Sequence, residues 1–351
     1  NNLYVAGGAS GTLTTSTDAI TWTTRTSGFG ATAISALTFG NNLYVAGGAS
    51  GTLTTSTDGI TWTSRLSGFG TVAINALTFG NNVYLAAGGT GGVIRTSTDG
   101  ITWPGQATQF GTGTVLKTLA VNGLYLAAGS GGYLATSTDL ITWTPRNTNI
   151  ALASSASLIF GNGLYVLTGT NGALATSTDA ITWTSRNAGF GTTTIYSTTF
   201  GNGIYVAGGV SGILTTSTDG LTWTARTSGF GTTEIRALTF GNNLYVAGGQ
   251  VGTLTTSTDA ITWTTRTSGF GTSVITELIF GNGLYVAVGG AGKLATSTDA
   301  ITWTSRTSGF DSTFTALTFG NGVYLAGGLS GVMTSSTSIP ATVTLTTAKT
   351  I

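Results

Sequence analysis

The chain has 351 residues, 40% of them apolar and only 7% charged, with 56 Gly, three Pro, no Cys, no His and a formal net charge of +1. Without Cys there are no disulfides and no thiolate metal sites, and without His there is no imidazole chemistry. A near-neutral chain offers no basic stripe to nucleic acid and no polybasic patch to anionic lipid. So little charge with so much apolar content does not describe a charge-rich disordered chain; a folded β-rich protein with a surface of Thr and Ser does. No apolar run approaches the ~20 residues that span a bilayer, so no membrane insertion is expected. The opening Asn1-Asn2-Leu3, with neither Met nor signal peptide, points to a processed chain or a piece of a longer one.

The dominant signal is a repeat. An Asp stands four residues before a Trp at Asp18 and Trp22, Asp58 and Trp62, Asp99 and Trp103, Asp139 and Trp143, Asp179 and Trp183, Asp219 and Trp223, Asp259 and Trp263, and Asp299 and Trp303, which accounts for every Trp in the chain. The spacing is 40 residues with one step of 41, the length of a four-stranded propeller blade rather than of a helical solenoid repeat. Units start near 1, 41, 81, 122, 162, 202, 242, 282 and 321, the ninth being degenerate. The fold class is therefore all-β, with residues 1–351 forming a single β-propeller domain of four-stranded antiparallel blades.

Within a unit, short β-branched and aromatic runs alternate with Gly or Asp turns. Ile34 to Phe39 reads as the first strand, and Gly40-Asn41-Asn42 turns it into a second, Leu43 to Ala46, which is apolar on both faces. Gly47 to Gly51 leads to a third strand, Thr52 to Ser56. The Ser-Thr-Asp turn then delivers a fourth, Ile60 to Arg65, whose alternation suits a half-exposed outer strand. No helical period or cap recurs. Eight first strands, nine second and nine third strands are available, so the count favours nine blades over eight.

Ser16-Thr17-Asp18-Ala19-Ile20-Thr21-Trp22 and its seven copies resemble the Asp-box, the S-x-D-x-G-x-T-W signature of neuraminidase-type (BNR-like) repeats. The Gly of that pattern is present as Gly59, Gly100 and Gly220, and is Ala or Leu elsewhere. The resemblance covers the whole chain and implies a propeller with the motif in the hairpin between third and fourth strands. The physical role of the motif is local: a short Asp accepts hydrogen bonds from the amides of its own turn while the Trp packs on the sheet. One carboxylate per blade at the rim does not converge on a metal, and no metal site or cofactor is expected.

Asp-boxes also occur in sialidases, whose chemistry needs a converging arginine clamp, a nucleophile pair and an acid. Seven of the nine Arg (Arg25, Arg65, Arg146, Arg186, Arg226, Arg266 and Arg306) repeat three residues after the Trp on separate blades, and eight of the eleven acids are the box Asp residues. No catalytic set can be assembled from the remainder, Glu234, Glu277 and Asp311, and the chain reads as a non-enzyme.

Two places remain for binding. The copies diverge in one column of the first strand, which reads Ser35, Asn75, Leu116, Ala156, Tyr196, Arg236, Thr276 and Thr315; Lys117 and Glu277 stand in the next column, and Glu234 is nearby. These positions line the axial channel. The inter-blade loops carry Phe29, Phe69, Phe110, Phe190, Phe230, Phe270 and Phe310 among Gly, Ser and Thr, as sugar-stacking platforms or as plugs between blades. The wording of the repeat also resembles propeller repeats of phage tail, other virion and bacterial surface proteins. The reading that follows is a non-enzymatic structural or adhesion propeller on a virion or cell surface, a rigid platform for attachment or assembly. Its expected partners are other virion or cell-surface proteins. The alternatives are a multivalent lectin bound to cell-surface glycans through inter-blade sites and, disfavoured, a sialidase-like hydrolase.

Overall fold

The computed structural model describes residues 4–7, 12–16, 23–30, 32–59, 61–89, 91–106, 113–150, 157–306, 308, 313–320, 323–328 and 332–337. Seven four-stranded antiparallel sheets follow one another along the chain. They are blade 1 (34–65), blade 2 (76–106), blade 3 (115–147), blade 4 (157–187), blade 5 (195–226), blade 6 (235–266) and blade 7 (275–306). In each, chain order is sheet order from axis to rim, and the first strands of successive blades pack against one another around the axis. The chain is a β-propeller.

The expected count of nine blades, or eight, is corrected by this topology: the described residues form seven four-stranded blades. The strands left over share one six-stranded sheet between blade 7 and blade 1. Its order from the axis outward is Phe314–Gly320, Val323–Gly328, Val332–Thr337, Tyr4–Gly7, Thr12–Ser16 and Thr23–Thr26. The ninth unit supplies no blade of its own because its strands and those of the first unit are consumed together. Among the described residues the two halves of the sheet pair at Gly7 with Met333.

Blade 6 shows why the repeat folds this way. Ile235–Gly241 turns through Asn242 and Asn243, both at positive φ (43° and 59°), into Leu244–Gly249. Asn tolerates the left-handed region better than other side chains, and two such residues in succession match the twist of a tight hairpin. Leu244–Gly249 is almost wholly buried between neighbouring blades. Val246, Leu254, Phe270, Ile275 and Tyr285 form one cluster that spans blades 6 and 7, so the core lies in the seams.

The outer strand is shorter than expected, Thr63–Arg65 in blade 1 and Thr264–Arg266 in blade 6. The residues before it stay in the Asp turn, and in six units the apolar residue two after the Asp points outward. Ile101, Ile141, Ile181, Leu221, Ile261 and Ile301 are all exposed.

Candidate functional site

Each described Asp of the repeat is occupied by its own turn. Asp259 Oδ1 accepts from the amides of Ile261 and Thr262 at 2.8 Å and from Ser257 Oγ at 2.9 Å. Trp263 Nε1 donates to the carbonyl of Ala260 at 3.1 Å. The same carboxylate contacts recur at Asp99, Asp139, Asp179, Asp219 and Asp299, and the Trp bond recurs at Trp103, Trp183, Trp223 and Trp303, whereas Trp143 Nε1 is buried with no partner among the described residues. At Asp58 the partners are Ser56 and the Thr61 amide. The backbone donors hold the Asp99, Asp219 and Asp259 carboxyls down at about 2. Asp18 and Trp22 lie outside the described residues. These groups are turn supports, and among the described residues no three Asp or Glu gather to hold a metal.

The repeated Arg residues whose side chains are described, all but Arg25, are committed as well. Arg266 Nε donates to Thr256 Oγ1 in its own blade at 2.9 Å, and Arg65, Arg146, Arg186, Arg226 and Arg306 do the same at 2.8–3.0 Å. One arginine per blade, each tied to its own third strand, makes no clamp.

The inter-blade Phe residues are plugs. Phe29, Phe69, Phe190, Phe230 and Phe270 are each at most 4% exposed. Phe230 packs with Val206 and Leu214 of blade 5 and with Ile235 and Tyr245 of blade 6. Ser228 Oγ donates to the Gly212 carbonyl at 2.7 Å and accepts the Phe230 amide at 3.2 Å, which turns the ring inward. A sugar-stacking role for these five is thereby corrected: a ring sealed in a seam has no face to offer. Phe110 and Phe310 lie outside the described residues.

The divergent axial column has a structural cause. In blades 1, 3, 5, 6 and 7 and in the six-stranded sheet the register of the first strand shifts by one residue, at Ser35, Leu116, Tyr196, Arg236, Thr276 and Thr315. These are β-bulges, which leave one residue unpaired and re-aim its side chain. The ring of bulges stands where the first strands begin.

Blade 6 departs furthest from the consensus here. Arg236 lies over the Tyr196 ring of blade 5, 4.1 Å from its centroid, and makes an ion pair with Glu234. Glu234 also accepts from Gln250 Nε2 at 2.9 Å. Arg236 Nε is buried with no partner among the described residues. Beside Gln250 stands Val251, 52% exposed and at φ 48°, ψ 32°. A β-branched residue in the left-handed region is strained, and such strain gathers at binding sites. The sequence signals for Gln250 and Val251 were available, since other units place Ser50, Gly131, Asn171 or Ser211 where Val251 stands.

Lys117 and Glu277 also reach the axial space, lining a cavity of about 200 Å³ with Ser35, Asn75 and Leu116. Burial raises the Glu277 carboxyl above its ordinary range, and the Lys117 charge opposes that rise.

No family model and no curated protein matches the chain. Solved propellers do. The computationally designed Ika8 protein is 18% identical with a TM-score of 0.70, over 88% of this chain and 97% of that one. Sqt1 from Chaetomium thermophilum, bound to the N-terminus of a ribosomal protein, is 12% identical with a TM-score of 0.69, over 88% and 97%. YCF48 bound to a peptide is 17% identical with a TM-score of 0.58, over 88% and 94%. At these identities the likeness shows the fold, and function has to be argued from the site.

Proposed function

We propose that the protein is a non-enzymatic binding platform that holds a segment of a protein partner over the axial mouth at blades 5 and 6. The observation that carries this is the Tyr196, Arg236, Glu234, Gln250 and Val251 patch, where a stacked cation, an acceptor pair and a strained exposed apolar residue meet on an otherwise uniform scaffold. Arg and Tyr anchors beside an apolar contact are the usual makings of a binding hot spot. Sqt1 and YCF48, propellers of similar fold, are seen with protein segments bound, which supports the same kind of partner here. The wording of the repeat and the low charge support a place on a virion or cell surface, where the propeller would serve attachment or assembly.

Selection of peptides from a displayed library on the whole chain tests the reading. The recovered peptides should lose binding to Arg236→Ala and Tyr196→Ala proteins that melt as the parent does. Peptides that bind all three proteins equally would overturn the proposed patch.

A further inference from the structure

Most polar groups around the axis are spent joining one blade to the next. Asn75 Nδ2 donates to the Val115 carbonyl at 3.3 Å, and the Thr78 and Thr118 hydroxyls lie 2.7 Å apart. Ser157 and Thr198 are 2.7 Å apart, Ser197 Oγ accepts the Leu238 amide at 3.1 Å, and Thr276 donates to the Phe314 carbonyl at 2.7 Å. The side chains of Lys117 and Glu277 stand apart from these ties, and neither makes a side-chain hydrogen bond or an ion pair among the described residues.

Their placement follows from the topology. With the Phe314–Gly320 strand counted as one position of the ring, blade 3 and blade 7 are four first-strand steps apart in both directions. Lys117 and Glu277 therefore face each other from opposite walls. At the same register the other first strands carry Ala36, Ala76, Ser157, Ser197, Ala237 and Ala316, and the small side chains of Ala36, Ala76 and Ala316 line the cavity with the two charges. An ammonium and a carboxylate held apart in this way are complementary to a molecule that carries the opposite charge at each end. A carboxylate whose protonation is favoured by burial gains from a cation brought to it.

We propose that this tier binds a small zwitterion of the α-amino acid class, with its carboxylate at Lys117 Nζ and its ammonium at the Glu277 carboxylate. The cavity, about 200 Å³, is below the roughly 300–1,000 Å³ of pockets for drug-sized ligands, which limits the ligand to a small one.

Calorimetric titration of the whole chain with L-alanine, N-acetyl-L-alanine and L-alaninamide tests this. L-alanine should bind, and each singly charged analogue should bind about tenfold more weakly or worse, having lost one charge-assisted contact. Lys117→Gln should weaken L-alanine by a similar factor while leaving L-alaninamide unchanged. Glu277→Gln should weaken L-alanine and leave N-acetyl-L-alanine unchanged. Lys117→Arg keeps the charge and should retain binding, which separates loss of the site from loss of the fold. Arg236→Ala should leave L-alanine binding intact, so the outcome is independent of protein docking at the mouth. No binding of L-alanine at millimolar concentration, or equal binding of all three compounds, would show two solvated charges in a water-filled channel and overturn the proposal.

Discussion

The Tyr245 hydroxyl of blade 6 donates to the carbonyl of Gly201, the last residue of the first strand of blade 5. The same tie joins Tyr84 to Gly40, Tyr205 to Gly161 and Tyr285 to Gly241. The glycine is required for a second reason: a Cβ at Gly201 would stand 2.2 Å from the Phe240 ring, and that ring stacks at a tilt on Tyr245, 4.6 Å between centroids. Gly201→Ala should therefore cost about 1–3 kcal/mol through overpacking. Tyr245→Phe should cost a similar amount by leaving a buried carbonyl unpaired. Denaturant unfolding of each variant measures both.

Phe270 is sealed in the seam between blades 6 and 7. Phe270→Ala should cost about 3–5 kcal/mol, the usual loss for a buried aromatic ring. A glycan array should show no binding that depends on this residue.

Strain at two kinds of position should be relieved by glycine. Val251 at φ 48° and Ala260 at φ 59° both sit in the left-handed region, where a side chain costs about 1–2 kcal/mol. Val251→Gly and Ala260→Gly should each raise the melting temperature. Only Val251→Gly should reduce binding of a partner segment, because Ala260 belongs to a rim turn.

Two titrations set the pH range of stability. The Asp99, Asp219 and Asp259 carboxyls titrate at about 2 in the fold and near 3.9 when unfolded. Their turns therefore contribute stability above about pH 4 that is lost as pH falls toward 2. Burial moves the Tyr84, Tyr245 and Tyr285 hydroxyls up to about 12. The unfolded chain ionises first, so stability falls as pH rises from about 10 to 12. Thermal melts across pH should decline below about pH 4 and again above about pH 10, and Glu277, whose carboxyl burial raises, should add a loss of stability as pH rises past its unfolded value of about 4.3.

The blade was legible in the sequence because its cues are local: two-residue Asn or Gly turns, β-branched runs and an Asp that caps its own turn. The Trp–Asp segment misled only in length, since the amides that Asp58 and Asp259 engage keep the following residues out of the outer strand. Closure was not legible. Tyr4-Val5-Ala6-Gly7 and Tyr324-Leu325-Ala326-Gly327 are near-identical second strands, and a strand count cannot tell a new blade from a widened one. The bulges showed only as the divergent column that runs from Ser35 to Thr315, because a bulge is a register shift and the residue standing on it is the one free to vary. The inward turn of Phe230 depended on Ser228 bonding Gly212, a contact between different parts of the unit that flanking composition does not reveal.

The bulges also separate two kinds of inheritance in this protein. A residue on a bulge has no cross-strand partner, so exchanging Ser35 for a side chain such as Arg236 leaves the ladder beside it unchanged. Each bulged first strand thus carries one site that can be rewritten without disturbing its own ladder. A duplicated, nearly uniform scaffold can acquire a directional, unsymmetrical mouth one blade at a time, and the pairing of Tyr196 with Arg236 across blades 5 and 6 has that form.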